Sequence, residues 1–263
     1  MRVGNWVFAL AAVACCDVHA HDTWLLAAPG SHQGTSGAQT LALTSGMEFP
    51  VADYAIDPAR IAAKGCRMID SPCALMIGKR GAHALTLFAA VPATSAAVVW
   101  VDLAPKTLRL DEAKVREYFA EIDATPEIRA AWEAKPKPRR WRETYVKHAK
   151  SLAGSGASAS TEWSTPVGSA LEIVPDAQAT LTVDSDVEIR VLAQEQPLAD
   201  VPIGVVRGRP ARAQFLHTDA QGRVRVHIDQ KGEWLLRVTR LVPSTRPAVD
   251  WTSDFATLTF TVR

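Results

Sequence analysis

Residues 218–228 read TDAQGRVRVHI, and this stretch decides the fold. In its second half valine or isoleucine alternates with arginine or histidine, and a period of two predicts a strand with one buried face and one solvent-facing side. His227 lies on the arginine side, so we expect it to face solvent. Asp219 and Gly222 precede the strand and suit a tight turn, which predicts a hairpin at this point.

Segments rich in β-branched and apolar residues surround this stretch. Candidate strands, separated by turn residues, fill residues 171–263 and predict an immunoglobulin-like sandwich there. Similar segments between residues 21 and 105, such as SAAVVWVDL, predict a first β-sandwich. Residues 154–170 are rich in Gly, Ser and Ala and predict a linker. The expected fold class is mainly β, with two β-sandwich domains and a helical segment at the end of the first.

The helical segment is expected over residues 106–153. Two helices are predicted from residues suited to a helix N-terminus. Asp111 is placed to cap one helix, and Thr125, followed by a proline, is placed to begin another. A third helix is predicted because four residues share one helical face: Trp141, Tyr145, His148 and Leu152. The basic run KPKPRRWR, residues 135–142, is interpreted as a solvated helix entrance, with contact to anionic lipid or a partner as the alternative.

The first twenty residues have the organisation of a secretory signal. Arg2 precedes an apolar run, and Val18 and Ala20 supply small side chains for a cut after Ala20. The apolar run is about 11 residues, shorter than the roughly 20 that span a bilayer. We therefore expect a cleaved signal at residues 1–20 and a periplasmic or secreted protein; a retained anchor or a lipoprotein acylated at Cys15 is the alternative.

Composition excludes several functions. The chain carries 29 basic and 28 acidic residues, so no basic excess indicates nucleic-acid binding. The sequence contains no Gly-x-Ser-x-Gly elbow, phosphate-binding loop or His-Glu-x-x-His, and we predict no catalytic residues and no enzyme. No later apolar run reaches transmembrane length. Cys66 and Cys73 remain after processing, and two cysteines in an exported chain predict a disulfide.

Cleavage after Ala20 would make His21 the first residue of the working protein. Its α-amine and its imidazole ring together can chelate a transition metal, and nitrogen ligands suit copper, nickel and zinc. Asp22 is a possible further ligand or a residue that supports one. His148 is the other candidate ligand, because its helix could pack it near the new N-terminus. The alternatives are a solvated end at His21 and a core histidine at position 148.

Several segments together resemble one family: AHDTWLLAAPG (20–30), LTSGMEFPV (43–51), RETYVKHAKSL (142–152) and GSALEIVPDAQATL (168–181). They are similar to periplasmic proteins with a nickel-uptake accessory (NikM-like) domain of unknown function. The resemblance implies handling of nickel or cobalt beside a membrane metal transporter, with His21 as the N-terminal histidine and His148 as the helix histidine. Such proteins often carry membrane segments; this chain has none after the signal, which favours a free periplasmic binder.

The sequence thus predicts an exported protein that binds a divalent transition metal, nickel, cobalt or copper, without being an enzyme. Two alternatives stay open. One is an interaction module that binds a protein or ligand through its loops, because fold alone does not settle function. The other is an oxidative enzyme, since a histidine brace that holds copper can activate oxygen.

Overall fold

The computed structural model describes residues 21–27, 39–68, 72–92, 95–154, 161–177, 179–207 and 213–262. The predicted signal at residues 1–20 lies outside the described residues. Within those ranges, no helix has the length and apolar character needed to cross a membrane.

The first half of the chain is mostly strand. Its elements are, in order, β1 (Asp22–Ala27), β2 (Gln39–Gly46), β3 (Tyr54–Ala55), a 3-10 turn (Pro58–Arg60), β4 (Ile61–Arg67), β5 (Leu75–Arg80), β6 (Leu85–Ala89), β7 (Ala96–Leu103), β8 (Lys106–Leu110), α1 (Glu112–Glu121), α2 (Pro126–Glu133) and β9 (Trp141–Gly154).

The second half begins with one short helix and continues as strands. Its elements are α3 (Thr161–Ser164), β10 (Leu171–Pro175), β11 (Ser185–Ala193), β12 (Gln196–Pro197), β13 (Pro202–Arg207), β14 (Gln214–His217), β15 (Arg223–Ile228), β16 (Gly232–Pro243) and β17 (Trp251–Val262). The expectation of a mainly β fold built from packed sheets is confirmed.

Three sheets form three layers. The middle layer is an eight-stranded sheet in the order β14-β13-β16-β17-β9-β7-β4, with β8 also paired to β9. A five-stranded sheet of β1, β2, β3, β5 and β6 packs on one face, and a four-stranded sheet of β10, β11, β12 and β15 packs on the other. Two apolar cores therefore lie on opposite sides of one shared sheet.

Residues 97–99 of β7 and residues 148–153 of β9 are buried on both faces of the middle sheet. Val99 and Ala153 belong to the core beneath the five-stranded sheet, whereas their neighbours Val98 and Leu152 belong to the core beneath the four-stranded sheet. Successive side chains of a strand point to opposite faces, so adjacent residues serve different cores. This two-sided burial fixes where each polar residue of β9 can lie.

The prediction of a helix at the end of residues 106–153 is wrong. Helices α1 and α2 form as expected, and the Asp111 side chain accepts a hydrogen bond from the backbone N–H of Lys114. Residues 141–154, however, form β9, which carries His148. The helix-like spacing of the four predicted residues led to this error because β9, with buried residues on both faces, lacks the apolar–polar alternation of a surface strand.

The turn at residues 219–222 forms, but it does not close a hairpin. Gly222 has φ +70°, and the Asp219 carboxylate accepts hydrogen bonds from two backbone N–H groups after it. The strand before the turn, β14, pairs with β13 in the middle sheet, whereas β15 pairs with β11 in the four-stranded sheet. The chain therefore uses the turn to pass between layers. The alternation in β15 is as predicted, and His227 is exposed.

The expected linker at 154–170 does not separate two independent sheets. Strand β17 of the second half pairs in parallel with β9 of the first half, from Trp251 opposite Glu143 to Thr259 opposite Ser151. The middle layer is thus built from both halves of the chain. The predicted Cys66–Cys73 disulfide is confirmed, with the two Cα atoms 5.3 Å apart.

A buried ion pair also joins the two halves. Lys150 of β9 donates to Glu172 of β10 at 2.7 Å, and both side chains are at most 5% exposed. Glu172 accepts two further hydrogen bonds from the backbone N–H groups of Val167 and Gly168. Removing one member of a buried pair leaves the other charge without compensation, which costs more than the pair itself contributes.

We predict that Lys150→Met lowers the free energy of unfolding by about 3–5 kcal/mol, because Glu172 stays buried without its cation. Adding Glu172→Gln, which keeps an acceptor for the two backbone N–H groups, should recover part of that loss. Denaturant unfolding of both variants measures this, with the exposed Lys79→Met as the matched control. A double variant no more stable than Lys150→Met alone would contradict the account.

Candidate functional site

The predicted N-terminal ligand lies at the start of β1. His21 is half-buried, and its ring packs edge-on against the Tyr54 ring with 5.2 Å between centroids. The backbone carbonyl of His21 accepts a hydrogen bond from Lys147 Nζ of the middle sheet. Both the main chain and the ring of His21 are therefore held against the folded protein.

A second cation holds the next residue. Arg237 Nη1 donates to Asp22 Oδ2 at 2.7 Å, and Arg237 Nη2 donates to the carbonyl of Glu121 at 2.9 Å. Burial opposes the charge of Arg237, but Asp22 and Glu121 outweigh it and raise the pKa of the guanidinium above its usual range. We call His21, Asp22, Tyr54, Lys147 and Arg237 the β1 anchor.

Lys147 occupies an unusual environment within the β1 anchor. Its ammonium lies 5.7 Å from the ring centroids of both Tyr145 and Phe255. Burial lowers the pKa of Lys147 to about 8, against the attraction of Asp22, which raises it. The ammonium is thus a desolvated donor, and its hydrogen bond to His21 replaces part of its lost hydration.

The second predicted ligand, His148, is clamped between two carboxylates. Its Nδ1 lies 2.7 Å from Asp102 Oδ1 and its Nε2 lies 3.3 Å from Asp254 Oδ1. Ser169 Oγ donates to the same Asp102 oxygen at 2.8 Å. Burial lowers the pKa of His148, but the two carboxylates outweigh it and raise the pKa to about 9.

The pleat of β9 separates the two predicted ligands. Lys147, which contacts His21, points to the face covered by the five-stranded sheet; His148 points to the opposite face, where its neighbour two residues on, Lys150, meets Glu172. Adjacent residues of a strand face opposite ways. The structure therefore does not bring His148 together with His21 and Asp22.

The three predicted ligands also differ in their ability to bind a metal ion. His148 is protonated near neutral pH, and an imidazolium has no free nitrogen lone pair to donate. The Asp22 carboxylate is already engaged by Arg237. In the described ranges, no group of three or more His, Cys, Asp or Glu side chains is arranged to hold a metal ion. Of the three, only His21 fits a transition metal, through its ring and, after the predicted cut, its amine.

Sequence reasoning did not identify the residues that hold His21 and His148 in position. The two cations of the β1 anchor, Lys147 and Arg237, come from β9 and β16, more than a hundred residues away in sequence. The clamp on His148 comes from β7 and β17. No motif signals these contacts, because they depend on the order of the strands in the middle sheet. The other described histidines, His83, His217 and His227, are exposed.

Comparisons with known proteins place the chain in a family. A model of a family described as a domain of unknown function (DUF4198) matches residues 18–241. A search of curated proteins gave no match. A solved structure, the D0-D1 domain of intimin, is 12% identical and covers 86% of this chain and 92% of its own, with a TM-score of 0.20.

We predict that His148 makes stability depend on pH. Because its pKa rises from 6.5 to about 9 on folding, its stabilising contribution is complete below about pH 6.5 and is lost as the pH rises through 9. A shift of that size corresponds to about 3 kcal/mol. Unfolding of the wild type and of His148→Gln should therefore differ most at pH 6 and converge by pH 10.

The exposed His227→Gln, which also removes a histidine beside a carboxylate, is the matched control and should keep the wild-type pH profile. Should His148→Gln fail to fold, Asp254→Asn offers a milder test, since it removes only the 3.3 Å partner. Parallel profiles for the wild type and the His148 or Asp254 variant would show that the clamp does not stabilise a charged imidazole.

Proposed function

We propose that this chain, which belongs to the DUF4198 family of unknown function, is an exported protein that binds a divalent transition-metal ion as cargo through His21. The observation that carries the proposal is the attachment of His21 to the folded protein. Tyr54 packs against its ring and Lys147 binds its carbonyl. A predicted cut after Ala20 would then release an amine at a fixed place rather than at the end of a loose tail.

The chemistry of this end suits nitrogen-preferring metals. An α-amine and an imidazole in one residue form a chelate, and copper and nickel rank high in affinity for such donors. A chelate held in place before the ion arrives loses less conformational freedom on binding. Lys147 and Arg237 place positive charge nearby, balanced by Asp22 and Glu121, so the affinity rests on the two nitrogens more than on local charge.

Two nitrogens fill only part of a metal's coordination sphere. The remaining positions are left to water or to donors from another molecule, which suits an ion that is passed on rather than stored. A membrane metal transporter in the cell envelope is the partner this implies, in keeping with the resemblance to nickel-uptake accessory proteins. Nickel, cobalt and copper are the candidate ions.

An interaction module is the second candidate function, and one observation favours it. Met76 of β5 and Phe88 of β6 are cross-strand partners, and they are 56% and 37% exposed. Tyr54, beside His21, is 59% exposed. Exposed apolar side chains on one sheet are a feature of protein contact surfaces.

We predict that protein beginning at His21 binds Cu(II) or Ni(II), and that acetylation of the His21 α-amine weakens binding at least about tenfold, because an acetylated nitrogen no longer donates to the metal. Isothermal titration of the two proteins measures this. His21→Gln should lose binding by the same amount or more, whereas His148→Gln should bind as the wild type does, because its ring faces the other side of the middle sheet.

Equal affinity with and without the acetyl group would remove the amine from the site. Loss of binding in His148→Gln would overturn the assignment to His21 alone. The absence of binding in every version would leave the interaction module as the better explanation.

A further inference from the structure

A cavity of about 660 Å³ opens where β8 ends and β9 begins, away from the β1 anchor. Its walls carry four cationic side chains and one carboxylate, with two prolines and Trp141 between them. The cations are Arg109, Lys135, Arg140 and Arg142, and the carboxylate is Asp250. The cavity thus has a net charge of +3, in a chain whose formal net charge is only +1.

The strand register places two of these cations against each other. Arg109 of β8 is the direct cross-strand partner of Arg142 of β9. Like charges at directly opposed positions of an antiparallel pair destabilise it. The two arginines therefore bring positive charge to the cavity although their opposition disfavours the pairing of β8 with β9.

Asp250 relieves only part of this repulsion. It accepts from Arg142 Nε at 2.9 Å and from Lys135 Nζ at 3.0 Å. The hydrogen bond from Arg142 is the main reason that the pKa of Asp250 falls to about 2. One carboxylate thus holds two cations in place and neutralises one of them.

The other two arginines have no such partner. The side chains of Arg109 and Arg140 are exposed and make no hydrogen bond or ion pair with any residue in the described part of the chain. Their guanidinium groups are free to bind a ligand, whereas Arg142 and Lys135 are already oriented by Asp250.

The floor of the cavity is rigid. Trp141 is buried and stacks on Trp251, with 4.7 Å between ring centroids and 13° between planes. Lys135 Nζ lies 5.7 Å from the centroid of the Trp251 ring. A packed aromatic floor under oriented cations is a pre-formed site, because a ligand would not need to order it.

We propose that this cavity binds a small polyanion that carries two or more carboxylate or phosphate groups. Arginine forks match the paired oxygens of both groups. The volume lies within the roughly 300–1,000 Å³ typical of small-molecule sites. A net charge of +3 favours a ligand with several negative charges over a monoanion. The concave shape favours a small ligand over the flat surface of a membrane.

Citrate and inorganic pyrophosphate are the probes that test this, titrated calorimetrically into metal-free protein at constant ionic strength, with acetate as the monoanion comparison. At least one probe should bind, and acetate should not bind detectably. Arg109→Gln and Arg140→Gln should each weaken binding roughly tenfold, and the double variant roughly a hundredfold, the scale of a charge-assisted hydrogen bond. Neither arginine has a partner in the described structure to lose, so both variants should fold.

Arg225→Gln, which removes an exposed arginine from β15 in another sheet, is the matched control and should bind the probe as the wild type does. His21→Gln should also bind it normally, which separates this site from the proposed metal site. Failure of both probes to bind, or equal weakening by Arg225→Gln, would overturn the proposal. So would retention of binding in the double variant. Arginine-dependent binding to phosphatidylglycerol vesicles without binding of either probe would assign the basic cluster to a membrane instead.

Discussion

The burial of Glu143 and of residues 148–153 of β9 is the constraint on which the rest of the structure depends. These residues have no solvent side, so every polar side chain among them must find a partner within the protein. Glu143 accepts hydrogen bonds from Tyr118 and Trp141, His148 is held by Asp102 and Asp254, and Lys150 by Glu172. These contacts reach other strands and a helix, so the polar residues of β9 connect the layers that its apolar residues separate.

The same constraint assigns roles to charged residues that look functional in sequence. A histidine, a lysine and a glutamate close together on one segment suggest a catalytic or metal-binding group. In the fold each of these three side chains is bound by its own buried partners. The pleat of the strand directs adjacent side chains to opposite faces of the sheet. His148 is therefore a charged group that stabilises the fold, while Lys147, one residue earlier, reaches His21. Position along the chain is a poor guide to shared function when a strand serves two cores.

Local signals predicted most of the fold, and long-range contacts account for what was missed. The alternation of β15, the cap at Asp111 and the Cys66–Cys73 pair each involve residues within a few positions of one another. Strand β9 was mistaken for a helix because Trp141, Tyr145, His148 and Leu152 share a helical face, although in a strand the first two and the last two face opposite ways. At the candidate site His21 and Asp22 were identifiable, whereas Lys147 and Arg237 reach the β1 anchor only through the strand order of the middle sheet.

Strand β9 also determines how the two proposed sites relate. Lys147, which holds His21, and Arg142, in the basic cavity, are five residues apart on the strand. A strand rises about 3.3 Å per residue, so their backbones are about 16 Å apart, and an odd separation directs their side chains to opposite faces. A small anion in the cavity is too short to reach an ion at His21. A metal carried as an anionic chelate would therefore occupy one site or the other.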